Sequence, residues 1–168
     1  MASKVLLPRP VNGLDTLYLT DTPVGNRSDN KRIADVQLVQ LFLNDFFFTN
    51  PALFKKLPKP TTNPNAPGIL MDGKVGRQTI EAINEFQREM KRRGPSGLIV
   101  DGRVSVPTGG LRVAGTTHVF TIIQLNTIFF NGPNSDENLP FNANLEDHPR
   151  VQRLPLLVAD LRSRGPSS

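Results

Sequence analysis

The chain has 168 residues, of which 38% are hydrophobic, 21% charged and 7% aromatic; that length holds one domain with a real core and excludes two large ones. A net charge of +5 and a pI near 10.0 favour anionic partners, such as nucleic acid, acidic headgroups or wall polymers, without choosing among them. With no cysteine, disulfides, thiol nucleophiles and thiolate metal sites are all excluded.

The start, "MASKVLLPRPVNG", has only the apolar run Val5 to Leu7 before prolines interrupt it, which is too short for a secretory signal. No apolar stretch approaches the length of a membrane span, so no membrane insertion is expected. These features predict synthesis in the cytoplasm without a Sec signal. In "DTLYLTD", Leu17 and Leu19 alternate with Thr16, Tyr18 and Thr20, predicting a short half-buried strand within an N-terminal arm, residues 1-30. Ser28, Asp29 or Asn30 then offers helix-start chemistry.

The 15 prolines leave two runs untouched, Val36 to Phe48 and Thr79 to Arg93, and those are the expected helices. Over Ile33 to Phe48, Ile33, Val36, Val39, Leu43 and Phe46 or Phe47 recur at helical spacing and predict one core-facing stripe. Phe46, Phe47 and Phe48 read either as packing against the next loop or as an exposed aromatic platform. "TNPALFKKLPKPTTNPNAPG" is a long Pro-rich connection, with one short turn expected near Leu53, Phe54 and Leu57.

In "DGKVGRQT", Asp72-Gly73 suits a tight turn, and Gly76 permits sharp entry into a helix from Arg77 to Arg93. On that helix Ile80, Ile83, Phe86 and Met90 form the apolar stripe, with Glu81, Glu85, Arg88 and Lys91 outside it. A second turn follows in "LIVDGRV", and a third long helix is expected from Phe120 to Phe130. The segment from Asn131 is polar and turn-rich until "LPLLVADLRSRG", where Pro155 opens a short helix with Leu156, Leu157 and Leu161 on one side.

"VQLVQLFLNDFF", "ILMDGKVGRQTIEAINEFQ" and "LIVDGRV", in that order, resemble the bacterial peptidoglycan-binding-like domain family over about Val36 to Val106. Asp72, Gly73, Gly76, Thr79, Phe86 and Gln87 match the family signature, and Asp101 and Gly102 match its second turn. The residue chemistry is that of a framework: turns from the Asp-Gly pairs, Thr79 closing the helix start, Phe86 as an interior anchor. Arg77 stands where the family commonly has proline, and "SVPTGGLRVAGTTHVF" replaces a compact start to the last helix.

The resemblance implies a three-helix bundle over residues 31-130; with the patterns on either side, the expected fold is mainly α, with a short N-terminal β-like arm and a C-terminal tail, residues 131-168, ending in a short helix. The resemblance also implies noncatalytic binding of peptidoglycan, with no cofactor. A wall ligand lies outside the cytoplasm, so the protein would act in the periplasm or at the wall after signal-independent export, as part of a secretion or phage-like system. Lys74, Arg77 and Arg103, beside the two turns, are the candidate ligand-binding cations for peptide carboxylates. The alternative is an adaptor in a secretion or tail-like assembly, docking a protein through Phe46, Phe47, Phe48 or the C-terminal helix.

Other chemistries fit less well. "MDGKVGRQTIEA" has Lys74 and Gly76 where an EF-hand needs oxygens, and only His118 and His148 are available for zinc. No Gly-x-Ser-x-Gly elbow or phosphate loop occurs, and no nucleic-acid motif emerges. Glu85 and Glu89 read as solubilising charge on a solvated face rather than a hydrolase pair.

Overall fold

The computed structural model describes residues 2–11, 14–28, 32–94, 98–107, 120–131, 145–164 and 166–167. The fold is mainly helical, with short strands. Helix α1, Ile33–Phe48, is its axis. In place of the expected single core-facing stripe, nearly all of α1 is buried, because α2 (Pro51–Phe54), α3 (Arg77–Arg93), α4 (Thr121–Asn131) and a C-terminal helix all pack around it.

An axial helix of this kind cannot leave polar side chains unanswered, since a buried unpaired group costs about 1–3 kcal/mol. Polar residues of α1 hook the peripheral segments to it. Asp35 accepts from the amide and hydroxyl of Thr22 at 3.3 and 3.1 Å. Gln37 donates to the Met71 carbonyl, and Asn44 accepts from the Ile69 amide at 3.3 Å. Asp45 pairs with Arg150 at 3.3 Å in the C-terminal segment. The apolar positions between them supply the core, with Phe42 against Phe129 and Phe46 against Phe86, each at 4.9 Å between ring centroids.

α3 starts at Arg77 as expected and carries Ala82, Ile83, Phe86 and Met90 into the core. Its last turn holds Lys91, Arg92 and Arg93, which suit the negative end of the helix dipole. α4 begins at Thr121, one residue after the expected Phe120.

The N-terminal segment contains more β structure than the single strand expected. Strands β1, Ser3–Val11, and β2, Leu14–Leu19, form an antiparallel hairpin, with Lys4 opposite Tyr18 and Val5 opposite Leu17. The prolines of β1 hid it from the alternation pattern; the pairing register is irregular across that stretch, between Leu6 and Val11. Tyr18 ties three segments together: its amide donates to Asn126 Oδ1 of α4, its carbonyl accepts from Asn126 Nδ2, both at 2.8 Å, and its hydroxyl accepts from the Leu145 amide at 2.9 Å. Strand β3, Val24–Gly25, pairs with β4, Arg103–Val104.

Beyond a 3-10 turn at Leu145–Asp147, the chain forms α5, Pro149–Gln152, and α6, Pro155–Arg164. α6 packs on α1 through Leu157, Val158 and Leu161, and Leu156 faces solvent rather than sharing that side. The final strand β5, Pro166–Ser167, runs parallel to β1. One hydrophobic core therefore joins residues from Ala2 to Leu161. No helix among the described residues is long and apolar enough to cross a membrane.

Candidate binding surface on the third helix and its turns

Each Asp-Gly turn is gripped by a buried glutamine from the preceding long helix. Gln40 of α1, 1% exposed, donates through Nε2 to Asp72 Oδ1, the Lys74 carbonyl and Thr79 Oγ1 at 3.0, 3.1 and 3.2 Å, while its Oε1 accepts from the Gly73 amide at 3.0 Å. Gln87 of α3, 0% exposed, repeats the arrangement: Nε2 donates to Asp101 Oδ1, the Arg103 carbonyl and Thr121 Oγ1, each at 3.0 Å, and Oε1 accepts from the Asp101 and Gly102 amides. Both aspartates also accept the amide two residues on, at 3.0 Å. A primary amide is suited to this grip because it offers donors and an acceptor from one planar group.

The grip sets the roles of the motif residues. Gly73 and Gly102 have φ of +72° and +70°, and a Cβ at Gly73 would sit 2.3 Å from Ile33 Cγ2. Thr79 does not cap α3, a correction to its expected role; it is buried and receives Gln40, and the helix starts on Gly76 with no side-chain cap. Gly76 has φ −112°, which other residues adopt, and a Cβ there would meet nothing within 4 Å. Phe86 is buried as expected.

The second turn also receives β3. Gly25 has φ +116° and a Cβ there would lie 2.3 Å from the Gly102 carbonyl oxygen, so only glycine allows this approach. The Asn26 amide donates to that carbonyl at 2.8 Å, and Arg27 follows at φ +55°.

The three candidate cations fall in two places. Lys74 and Arg77 are exposed on either side of Gly76, at the first turn and the start of α3. Arg103 is partly buried on the second turn, where Nη1 donates to the Arg27 carbonyl at 3.3 Å. From Arg77, the positions Glu81, Glu85, Arg88 and Arg92 follow at steps of three and four, so they share one stripe of α3. That stripe runs about 22 Å along the axis at ~1.5 Å per residue.

Its far end lines a cleft of about 630 Å³ between α3 and the Thr49 to Lys56 connection, bounded by Asn50, Leu53, Lys56, Glu85, Arg88 and Arg92 among others. No local pattern in the sequence marks this cleft, and Glu89 departs from its expected place on a solvated face. Glu89 is 9% exposed rather than solvated, because Arg92 and Arg93 clasp it. Arg92 Nε and Arg93 Nε donate to its two oxygens at 2.9 and 3.0 Å. Hydrogen bonding by Arg92, and further by Arg93, holds its carboxyl down to about 2 against the opposing effect of burial. Arg93 in turn lies 5.6 Å over the Phe46 ring and donates to Asn50 Oδ1 at 3.1 Å. Arg88 pairs with Glu85.

Phe46 and Phe47 are 1% and 2% exposed, so only Phe48, at 75%, reaches the surface, and the triplet forms no continuous platform. Among the described residues no group of three His, Asp or Glu is placed to hold a metal ion, and His118 lies outside them. His148 is buried at the start of α5, where Nδ1 accepts from the Arg150 amide at 3.1 Å. A sequence signal for Gln40 did exist: an amide inside the apolar run "LVQLFL" needs a partner if the run is buried.

No protein-family model, curated protein or solved structure was found to match this chain.

Proposed function

We propose that the protein is a noncatalytic binding module for bacterial cell-wall peptidoglycan, built on a peptidoglycan-binding-like three-helix unit of α1, α3 and α4. The observation that carries this reading is the repeated glutamine grip. Asp72, Gly73, Thr79, Gln87, Asp101 and Gly102, all part of the resemblance, meet as working members of two equivalent turns. Lys74 and Arg77 stand exposed beside the first turn, suited to the carboxylates of wall stem peptides.

The test is retention of the purified protein on insoluble sacculi across a salt series, beside a variant with Lys74, Arg77 and Arg103 all changed to Ala. Saturable retention that persists at moderate salt and weakens in the variant is expected. Absence of retention, or retention abolished by modest salt and equal in the two proteins, overturns the wall reading. It would favour the second reading, a protein adaptor, which Phe48 at 75% exposure and Leu156 at 52% support.

A further inference from the structure

We infer that the cleft between α3 and the Thr49 to Lys56 connection binds the free C-terminal carboxylate of a short peptide with small apolar side chains. This deepens the wall reading by naming the part of the ligand held, and rests on it for the peptide's source.

The cleft is built rather than incidental. Two of its lining residues, Glu89 and Asn50, are joined through Arg93, and Asn50 Nδ2 donates to the Phe46 carbonyl at 2.8 Å. Its lining brings three cations, Lys56, Arg88 and Arg92, against two carboxylates, Glu85 and Glu89. Both carboxylates are already answered, Glu85 by Arg88 and Glu89 by Arg92 and Arg93. The cations are not used up to the same extent. Among the described residues Arg88 bonds only through Nη1, Arg92 only through Nε and Nη2, and Lys56 is exposed. Guanidinium N–H groups left over at a cleft mouth match a planar carboxylate.

The lining sets three cations against two carboxylates, and Arg93 beside Glu89 adds a fourth, so the cleft attracts anions, and a planar carboxylate matches the unspent guanidinium edges. Pro51, Ala52 and Leu53 form an apolar wall beside the cations, which suits methyl-sized side chains next to the carboxylate. The stripe of α3 connects this cleft to Arg77 and the first turn, so an extended ligand could reach both.

The experiment titrates trialanine, its C-terminal amide and acetate into the intact, isotope-labelled protein and follows backbone amide resonances. Trialanine is expected to shift residues 49–56 and 85–92 with a Kd on the order of 1 mM, and the amide to bind about tenfold more weakly. Acetate shifting the same residues as strongly as trialanine would reduce the cleft to a site for small anions and overturn the peptide assignment. A Lys56→Gln, Arg88→Gln double variant leaves the Glu89 network in place and is expected to lose the response at least tenfold while melting like the parent. Equal binding of trialanine and its amide, or shifts confined to other residues, would overturn the proposal. Sacculus retention separates the two ideas: retention with a silent cleft refutes this inference alone, and a responsive cleft without retention refutes the wall reading alone.

Discussion

Replacing Gln87 by Leu tests the central claim about the turns, because Leu preserves most of the volume of the side chain and removes every polar atom. Two backbone amides, Asp101 and Gly102, would lose their acceptor, and the Arg103 carbonyl and Thr121 hydroxyl would lose a donor. An orphaned buried group costs about 1–3 kcal/mol, and Asp101, being exposed, can recover part of its loss from water, so the expected destabilisation is about 3 kcal/mol. Gln40→Leu strands one amide, Gly73, and should cost about 2 kcal/mol by the same reasoning. With no tryptophan and one tyrosine in the chain, urea unfolding is best followed by helical circular dichroism. Gln87→Glu adds a directional check. It keeps an acceptor for the two amides but sets a carboxylate against Asp101, so it should be less stable than Gln87→Leu at neutral pH and recover as acid protonates it. A loss below about 1 kcal/mol for Gln87→Leu, with an unchanged denaturant slope, would refute the view that the glutamine organises the turn.

Two further outcomes follow from local geometry. Gly73→Ala should cost at least about 1 kcal/mol, because φ is +72° and the new methyl meets Ile33, while Gly76→Ala should be neutral or slightly stabilising; thermal melts of the pair decide it. The pH dependence has two windows. Glu89, lowered from 4.5 to about 2 in the folded protein, contributes stability that is present above pH 4.5 and lost as pH falls through 2. His148 is held below 6.5 by burial and by Arg150, against the pull of Asp45, so the unfolded chain takes up its proton first and stability declines as pH drops below 6.5. His148→Asn, which retains a capping acceptor without titrating there, should remove the upper slope from urea midpoints measured across that range.

The helices were legible because their signal is local. Helical spacing and the absence of proline place Ile33–Phe48 and Arg77–Arg93 at the residues where they occur. The burial of α1 on all sides was not legible, since it depends on segments distant in sequence, such as Thr22 and Arg150, arriving at Asp35 and Asp45. Strand β1 escaped because its partner rather than its own composition makes it a strand. At the candidate site, Asp72, Gly73 and Gln87 could be singled out by their motif, whereas the cleft joins a Pro-rich connection to the end of α3, with 28 residues between Lys56 and Glu85. Glu89 was misjudged for a related reason: helical spacing placed it toward solvent, and its enclosure comes from Arg92 and Arg93 folding back over it.

The motif residues are nearly all spent on the fold, and this limits what a motif of this kind can say about a ligand. Gln40, Thr79, Phe86 and Gln87 are buried, and Gly73 and Gly102 are there for their backbone angles. Asp72 and Asp101 are exposed, and each commits its Oδ1 to a glutamine and a backbone amide, which ties the carboxylate into the turn. Two chains could share every one of these residues and bind different molecules. Specificity must then come from side chains that the turns position without using: Lys74 and Arg77 at one end of the α3 stripe, and Lys56, Arg88 and Arg92 at the other. Exchanging Lys56, Lys74, Arg77 and Arg88 should alter what is bound while leaving the unfolding midpoint little changed, since exposed charges contribute about 0–1 kcal/mol each, whereas exchanging Arg92 should also lower stability because it clasps the buried Glu89. Exchanging the glutamines should do the reverse, lowering stability first and affecting binding only through loss of the folded state.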